Sequence, residues 1–319
     1  MTDAEALLAE TQRPLVIGIG GGGDVVGALG TAETVRIYHG GKPVLGGVTW
    51  ERQPIDPSPG PRRVDEIAGA DELADCVLAA GPETRVRDSG VLFAESRMAA
   101  FLGERTVLID PNAGAARIAA GVARAADRLG CDLIVFVDVG GDVLAHGDEP
   151  GLGSPLCDAV MLAAATRVAE SGRKTLGAIF GPGCDGELTL RELGDRLADL
   201  GRAGGLAGAR GITPRVAARL EEATGHVVTE ASAQALRAFR GSIGITAIRG
   251  GRRKLELTTA GALTVYFDVA VAYEATAPLA RAVADAPDLQ AASAALNAIG
   301  VETELDREVR AAAEGGAAA

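Results

Sequence analysis

Short runs of aliphatic residues alternate along this chain with longer alanine-rich stretches in which apolar residues recur at helical spacing. The runs lie at residues 14–20, 43–50, 76–81, 106–110, 132–138, 174–180 and 262–269. Uninterrupted apolar runs are typical of strands that are buried on both faces, as in a parallel sheet. Between two of the runs, Ile118, Val122 and Leu129 share one face of a predicted helix, so residues 106–138 match a βαβ unit. The alternation therefore predicts an α/β fold with a doubly wound, mostly parallel, Rossmann-like sheet.

Helical signals fill residues 188–240, between the last two runs. A capping box begins a helix at Thr189, and a Thr-Pro pair at Thr213 begins another. Between them, residues 201–211 are rich in glycine and predict a flexible hinge. We interpret residues 188–240 as a helical insertion within a single α/β domain that spans residues 1–307.

The C-terminal part of the chain predicts a hairpin and further helix. Two apolar runs flank Gly250 and Gly251, and a two-residue glycine turn matches the twist of paired strands. The basic residues at 252–254 are then expected to form the solvated flank of this hairpin. The low-complexity end of the chain predicts a flexible tail over residues 308–319.

Composition narrows the classes of function. Apolar residues make up 47% of the 319 residues and aromatic residues only 3%, which indicates a globular protein with an aliphatic core. The net charge of −12 would repel a phosphate backbone and so argues against a general nucleic-acid partner. No stretch of about 18 apolar residues occurs, and the first residues are acidic rather than basic. We therefore expect neither a membrane segment nor a signal peptide.

The cysteines and the remaining composition indicate the cellular setting. Four widely spaced cysteines without a C-x-x-C pair favour reduced thiols in the cytoplasm over a structural zinc site. A small-molecule substrate is then the expected partner, and the sequence is compatible with a homo-oligomer.

Polar residues collect where the predicted strands end. They form the segments GGGGD (20–24), WER (50–52), DPN (110–112), DVGGDVLAHGDE (138–149) and GPGCDGE (181–187). In an open parallel sheet, ligands bind beyond the carboxyl ends of the strands. We therefore expect ligand-binding residues in these segments, among them Asn112, Gly181 and Asp185.

The first segment is a candidate anion site. The pattern G-x-G-x-x-G occurs directly after a strand and before a helix, where bare amides and the helix N-terminus attract phosphate. The expected ligand-binding residues of this loop are Gly18, Gly20, Gly21, Gly22, Gly23 and Asp24. A tight turn that binds nothing would give the same pattern. Asp24 either meets a cation, a sugar hydroxyl or an amine, or it compensates the helix dipole.

A dinucleotide is one candidate ligand for this loop. In dinucleotide-binding folds, an acidic residue at the end of the second strand binds the ribose about 20 residues after the glycines. Glu51 has that place but follows Gly23 by 28 residues, and Arg52 beside it weakens the match. Glu51 and Arg52 are both expected to bind ligand, and NAD(P) stays an alternative cofactor. No Gly-Lys-Ser/Thr follows the glycines, which excludes a Walker A loop.

A second candidate site is the acidic loop after the fifth run. Asp138 and Asp142 flank two glycines, so both carboxylates can turn toward one point and hold Mg²⁺. His146 in the same loop could act as a general base or as a metal ligand. We assign Asp138, Asp142 and His146 as candidate catalytic residues, with a polar turn and a solvated histidine as the alternatives. Asp158 falls in the first turn of a helix capped by Ser154, where dipole compensation explains it.

Four segments together resemble a known family. They are IGIGGGGDVVGA, GGVTWERQPIDPSPGPR, DVGGDVLAHGDEPGLGSP and GPGCDGEL. The combination is similar to an archaeal and actinobacterial family catalogued as domain of unknown function 1152, and the resemblance covers most of residues 12–270. It implies an intracellular α/β protein in which these loops are important, and it carries no assigned activity.

The leading hypothesis is an enzyme that binds a phosphorylated or ribose-containing small molecule, such as a nucleotide or a sugar phosphate. The glycine loop would hold the anionic part, and Asp138 and Asp142, with or without Asp24, would hold either Mg²⁺ or hydroxyl groups of the ligand. The reaction would be hydrolysis or phosphoryl or glycosyl transfer. One alternative is an NAD(P)-dependent oxidoreductase, which would use the same loop together with Glu51. Another is a non-catalytic ligand-binding protein. The leading hypothesis requires the glycine loop and Asp138 to lie at the same rim of the sheet.

Overall fold

A nine-stranded sheet forms the centre of the protein, and the computed structural model describes residues 1–316. The strands are β1 (Pro14–Gly18), β2 (Val44–Val48), β3 (Ile67–Ala74), β4 (Val77–Val86), β5 (Thr106–Ile109), β6 (Leu133–Val139), β7 (Thr175–Phe180), β8 (Leu206–Gly211), β9 (Gly244–Ile248), β10 (Arg253–Leu257) and β11 (Leu263–Phe267). The sheet has the order β3-β4-β5-β2-β1-β6-β7-β11-β8, and β9 pairs with β10 in a separate hairpin. Neighbours within β5-β2-β1-β6-β7 are parallel, whereas the pairs that involve β4 or β11 are antiparallel.

Helices cover both faces of this sheet. They are α1 (Ala4–Glu10), α2 (Asp24–Thr34), α3 (Ala94–Leu102), α4 (Gly114–Leu129), α5 (Pro155–Glu170), α6 (Leu190–Arg202), α7 (Pro214–Thr224), α8 (Ala231–Phe239), α9 (Val269–Thr276), α10 (Pro278–Val283), α11 (Leu289–Ala298) and α12 (Glu304–Gly316). Leu15 and Ile17 of β1 belong to the hydrophobic layer that contains α4 and α5, while Val16 belongs to the layer that contains α2 and α7. Both faces of the central strands are therefore buried, and the predicted α/β fold class is confirmed.

The edges of the sheet differ from the sequence prediction. The apolar runs at 76–81 and 262–269 do form strands, β4 and β11, but these strands are antiparallel to their neighbours. The hydrophobic pattern does not predict β3 and β8, because these edge strands carry exposed, polar and glycine residues. β8 takes the place of the hinge predicted at 201–211. The predicted helical insertion at 188–240 thus contributes a strand to the main sheet as well as α6, α7 and α8.

The predicted hairpin is present as β9 and β10, with a longer turn than the sequence suggests. Four residues, Arg249–Arg252, connect the two strands, and both glycines of this turn have positive φ angles. The prediction of a two-residue turn is therefore wrong. The longer turn includes two additional arginines whose position matters for the site described below.

The C-terminal segment is helical for most of its described length. α12 continues to Gly316, so helix replaces most of the tail predicted at 308–319, and residues 317–319 lie outside the described residues. Within residues 1–316, no helix is both long enough and apolar enough to cross a membrane.

The order of the parallel strands creates a crevice at the centre of the sheet. β1 pairs with β2 on one side and with β6 on the other. The helix after β1, α2, covers one face, whereas α5 after β6 covers the opposite face. The strand order thus advances in opposite directions from β1 and from β6, and such a topological switch point opens a crevice at the carboxyl ends of the strands.

Candidate functional site

A cavity of about 600 Å³ lies at this switch point. It is lined by residues 20–24 after β1, residues 51–55 after β2, Asp138, Val139 and Asp142 at the end of β6, Ser154 and Asp158 at the start of α5, Asp185 and Glu187 after β7, residues 228–231 before α8, and residues 248–250 and Arg252 at the tip of the hairpin. The glycine loop and the acidic loop therefore meet in one cavity. Asp24, Glu51, Arg52 and Asp185 line it too, as the sequence predicts.

The glycine loop is held in a fixed shape. Gly21 and Gly22 have φ angles of 89° and 54°, a backbone region that favours glycine. The Gly22 amide donates to the Trp50 carbonyl at 2.9 Å, and the Gly20 amide donates to Asp24 Oδ2 at 3.0 Å. Among the described residues, the amides of Gly21 and Gly23 have no such partner. Two donors beside the N-terminus of α2 are therefore available to an anion.

Close packing explains the last glycine of the loop. A methyl group at Gly23 would lie 2.5 Å from Cβ of Thr229, in the segment before α8. The Gly23 carbonyl also accepts a hydrogen bond from Ser232 Oγ at 3.3 Å. The segment at 188–240 and its neighbours thus rest directly on the glycine loop.

Asp24 connects the glycine loop to α2. It is the first residue of the helix, and its carboxylate folds back to accept the Gly20 amide. Burial raises the pKa of Asp24 to about 7, against the opposing effects of that hydrogen bond and of Arg52. Asp24 therefore holds the loop in place, in addition to facing the cavity.

Four aspartates converge at the base of the cavity, and we call Asp138, Asp142, Asp158 and Asp185 the aspartate cluster. All four are at least nine-tenths buried. Carboxylate oxygens of Asp138, Asp142 and Asp158 lie within 4.8 Å of one another, and so do those of Asp142, Asp185 and Glu187. The glycines between Asp138 and Asp142 allow this approach, because a methyl group at Gly140 would lie 2.1 Å from the Asp185 carboxyl group.

The cluster lacks internal compensation for its charge. Burial, and then repulsion between the acids, raises the pKa of Asp138, Asp142 and Asp158 well above the ordinary value. Burial raises the pKa of Asp185 to about 7. Asp158 Oδ1 and both carboxylate oxygens of Asp185 are buried without a hydrogen-bond partner among the described residues. Buried unpaired acids are costly, and a bound cation would remove that cost.

Glu187 borders the cluster but has the opposite environment. Its carboxylate accepts hydrogen bonds from the amides of Gly153 (2.6 Å) and Ser154 (2.7 Å), from Ser154 Oγ (2.6 Å) and from Arg253 (2.5 Å). Burial opposes ionisation, but Arg253 and Arg249 outweigh it and lower the pKa of Glu187 to about 2. Glu187 is therefore a fully compensated anion.

Three sequence interpretations change at this point. Ser154 does precede α5, but its hydroxyl binds Glu187 and makes no capping hydrogen bond. Arg253 is a partly buried partner of Glu187 and not part of a solvated flank. Asp158 lies in the first turn of α5, as the sequence predicts, and its carboxylate also belongs to the aspartate cluster. Helix-start and hairpin patterns describe these residues locally, and only the tertiary fold brings them together.

Arg52 is the cation nearest the glycine loop. Its Nη2 atom donates to the Gly20 carbonyl at 2.9 Å, and its guanidinium group stacks on Trp50 at 4.0 Å from the ring centre. Glu304 and Glu308 of α12 lie 3.3 and 3.5 Å from the guanidinium nitrogens. We call Glu304 and Glu308 the α12 clamp. The clamp fixes Arg52 at the edge of the cavity.

The clamp also binds backbone amides. Glu304 accepts hydrogen bonds from Leu156 and Cys157, in the first turn of α5, at 2.9 and 3.0 Å. Glu308 accepts hydrogen bonds from the Gly60 amide at 2.7 Å and from the Trp50 indole at 3.0 Å. The carboxylates of the clamp are thus paired on several sides.

Glu51 lines the cavity but is occupied by a structural contact. Its carboxylate accepts the Ala94 amide, at the N-terminus of α3, at 2.5 Å. Burial raises the pKa of Glu51 to about 7, although this hydrogen bond acts in the other direction. A carboxylate that faces α3 in this way is poorly placed to bind a ribose.

Four predicted site residues do not line the cavity. Gly18 lies within β1, where a side chain would collide with the backbone of α2. Asn112 donates to the Pro61 carbonyl and to Asp110 and so stabilises its own turn. Gly181 packs against Ala235 and Cys184. The sequence rule places them at strand ends, but their local contacts hold them away from the crevice.

His146 is the fourth of these residues. Its backbone amide donates to Glu149, which in turn pairs with Arg196 of α6 at 2.9 Å. Burial and the Arg196 charge lower the pKa of His146. The acidic loop therefore turns His146 toward α6, while Asp138 and Asp142 face the cavity.

The fold and the cavity define a class: doubly wound α/β proteins with an acidic, glycine-rimmed pocket at the topological switch point. A family model described as protein of unknown function (DUF1152) matches residues 15–312, and the chain belongs to this family. The resemblance inferred from the four motifs is thereby confirmed. Comparisons with curated proteins and with solved structures gave no match.

Proposed function

We propose that this protein is a divalent-cation-dependent hydrolase or transferase that acts on a phosphorylated small molecule, such as a nucleotide or a sugar phosphate. One observation carries the proposal: buried carboxylate oxygens of Asp138, Asp142 and Asp158 lie within 4.8 Å of one another in the cavity that the glycine loop also lines. The protein therefore has groups suited to a cation and to an anion in one pocket.

The chemistry of the aspartates supports Mg²⁺ or Mn²⁺ as the cation. Hard divalent cations prefer carboxylate oxygens, and Mg²⁺ is commonly held by a few carboxylates with substrate phosphates and water in its remaining positions. Asp158 Oδ1 is buried without a partner, so this oxygen is free to bind a metal. A cation here would also relieve the repulsion among the acids.

The opposite wall of the cavity supports a phosphate. Amides of Gly21 and Gly23 are free at the N-terminus of α2, and Arg52 stands beside them. Arg249 and Arg252 add positive charge from the hairpin tip. Arginine and helix-terminal amides are the groups that recognise phosphate oxygens. A cavity of about 600 Å³ is of the size that accepts small-molecule ligands.

A cation held beside a phosphoryl group would polarise it and favour attack by water or by an acceptor hydroxyl. The new oxygen–phosphorus bond would form as the bond to the leaving oxygen breaks, and the proton of the nucleophile would pass to solvent or to a nearby carboxylate. The alternative of an NAD(P)-dependent oxidoreductase has less support, because the Glu51 carboxylate is bound to the N-terminus of α3.

Thermal unfolding with a panel of ligands tests the proposal. Mg²⁺ or Mn²⁺ should raise the melting temperature, and a nucleotide or sugar phosphate should raise it further only when the cation is present. At about 100 times its Kd, a ligand adds about 2.7 kcal/mol to the free energy of unfolding. Asp138→Asn should abolish the cation effect, whereas Asp148→Asn, at an exposed position of the same loop, should keep it.

Two results would contradict the proposal. One is the absence of any shift with divalent cations in the wild-type protein. The other is tight binding of reduced NAD or NADP, measured by fluorescence titration without a cation, which would favour the oxidoreductase.

A further inference from the structure

We propose that the aspartate cluster holds two divalent cations bridged by Asp142, so that the pocket is a two-cation centre for phosphoryl substrates. This inference rests on the proposed function and adds to it the number of cations and the class of bond that is broken.

Two groups of acids in the cavity share one residue. Asp138, Asp142 and Asp158 form one group, and Asp142, Asp185 and Glu187 form the other, each with oxygens within 4.8 Å of one another. A carboxylate has two oxygens, so Asp142 can offer one to each group. Cations bridged by one carboxylate lie about 3.5–4 Å apart, the separation found in two-metal sites.

The second group contains the clearest vacant ligand in the cavity. Asp185 is 5% exposed, and neither of its carboxylate oxygens has a hydrogen-bond partner among the described residues. Asp185 lines the cavity on the side of Asp142 away from β1, after β7. A single cation in the first group would leave both Asp185 oxygens buried and unpaired, whereas a second cation would bind them.

Charge compensation agrees with two cations. The Glu187 charge is already balanced, because Arg253 contacts it at 2.5 Å and Arg249 at 3.5 Å. Three further hydrogen bonds, from the Gly153 amide and from the amide and hydroxyl of Ser154, occupy the Glu187 oxygens. Two further acids line the cavity, Asp24 and Glu51, and their carboxylates accept the Gly20 and Ala94 amides. The other acids are the four members of the aspartate cluster, and two divalent cations would balance their four negative charges. Asp142 and Asp185 are thus the ligands of the second cation, and Glu187 supports Arg253 beside it.

The presence of two cations favours one of the reactions that the proposed function includes. Two cations can bind the attacking and the leaving oxygens of an in-line displacement at phosphorus. Among the reactions of the proposed function, displacement at phosphorus is the one that such a pair serves most directly. The substrate class that fits is therefore a phosphate ester or a phosphoanhydride whose phosphoryl group lies between the cations and the amides of the glycine loop.

Manganese titration of the full-length protein tests the inference. Equilibrium dialysis with Mn²⁺ should give two ions per chain, and electron paramagnetic resonance should show a spin-coupled pair. Asp185→Asn should lower the number to one and remove the coupling. This variant should fold, because neither carboxylate oxygen of Asp185 has a hydrogen bond that the substitution would break. Asp148→Asn is the matched control and should keep two coupled ions.

The outcomes separate the two proposals. Two coupled ions in the wild type and one in Asp185→Asn support the pair. One ion in the wild type, unchanged by Asp185→Asn but lost in Asp138→Asn, overturns the pair and leaves the proposed function intact. If the wild type binds no Mn²⁺, both proposals are wrong. Circular dichroism of each variant confirms that lost binding does not result from unfolding.

Discussion

The α12 clamp and the aspartate cluster are both groups of largely buried acids that reach the first turn of α5, through Glu304 and Asp158, but they are compensated in opposite ways. Glu304 and Glu308 of the clamp contact Arg52 and four hydrogen-bond donors of the backbone and of Trp50. The aspartate cluster contains carboxylate oxygens with no partner among residues 1–316. A saturated acid is explained by the structure that it stabilises, whereas an unsaturated buried acid needs a further explanation, and this need is what supports the proposal of a bound cation.

The difference is sharpest between residues that are almost adjacent in sequence. Asp185 and Glu187 follow the same strand and line the same cavity. Burial raises the pKa of Asp185 to about 7, while Arg253 and Arg249 overcome burial and lower the pKa of Glu187 to about 2. Burial and acidity alone therefore do not mark a functional residue, and the presence or absence of donors distinguishes the two roles.

Removing an acid from the clamp should have the largest effect on stability. Glu304→Ala leaves the Arg52 guanidinium with a weaker partner and leaves the amides of Leu156 and Cys157 without an acceptor. Loss of one partner from a buried ion pair costs about 3–5 kcal/mol. We expect urea denaturation of the metal-free protein to show a loss of that size.

Glu302→Ala provides the control for this change. Glu302 precedes α12, and its carboxylate is half exposed and pairs with Arg307 and Arg310 at the surface. Exposed ion pairs contribute about 1 kcal/mol or less, so this variant should unfold near the wild-type midpoint. Equal losses in the two variants would mean that the clamp is no more than a surface contact.

Glu51 lies between the two extremes, because it is buried with a single hydrogen-bond donor. Burial raises its pKa from 4.5 to about 7. Below pH 4.5, the Glu51 carboxyl group is protonated in both the folded and the unfolded chain. Between pH 4.5 and 7, it ionises freely only in the unfolded chain. The Glu51 contribution to stability therefore falls through this window, by about 3 kcal/mol in total, and stays low above pH 7.

Glu51→Gln should remove this pH-dependent loss of stability, because glutamine does not ionise. Its side-chain oxygen can still accept a hydrogen bond from the Ala94 amide. Urea denaturation at pH 4 and pH 8 should give similar stability for wild type and variant at pH 4, and a more stable variant at pH 8. A variant that is equally or less stable at pH 8 would show that the Glu51 carboxylate is compensated as fully as the clamp.

The central strands were predictable because burial on both faces leaves a continuous apolar run, as in Leu15, Val16 and Ile17. The edge strands could not be predicted in this way, because a strand such as β8 has the sequence LAGARG and is mostly exposed. The same logic applies to the site. Asp138 lies at the carboxyl end of β6 and Asp185 follows β7, and the rule that parallel strands deliver their carboxyl ends to one rim places both there from sequence alone.

Other site residues depend on tertiary packing or on local competition. Asp158 comes from a helix and Arg249 from a hairpin, and no local spacing relates either to the cavity. Asn112 shows the reverse case, because its side chain donates to Asp110 within its own turn and to the Pro61 carbonyl of a neighbouring loop. Side-chain hydrogen bonds to nearby groups are always available to Asn and Asp in loops, so position at a strand end does not by itself predict a binding role.

Ser154→Ala should have the smallest effect and tests the claim that Glu187 is saturated. The substitution removes the 2.6 Å hydrogen bond to Glu187 but leaves the two amides and Arg253 in place. One lost hydrogen bond among several costs about 1 kcal/mol, which urea denaturation can resolve. Because Glu187 keeps its charge balance, the number of bound Mn²⁺ ions should not change. If the variant instead binds fewer ions, Glu187 is itself a metal ligand, and the contrast between a compensated glutamate and an uncompensated aspartate two residues away no longer holds.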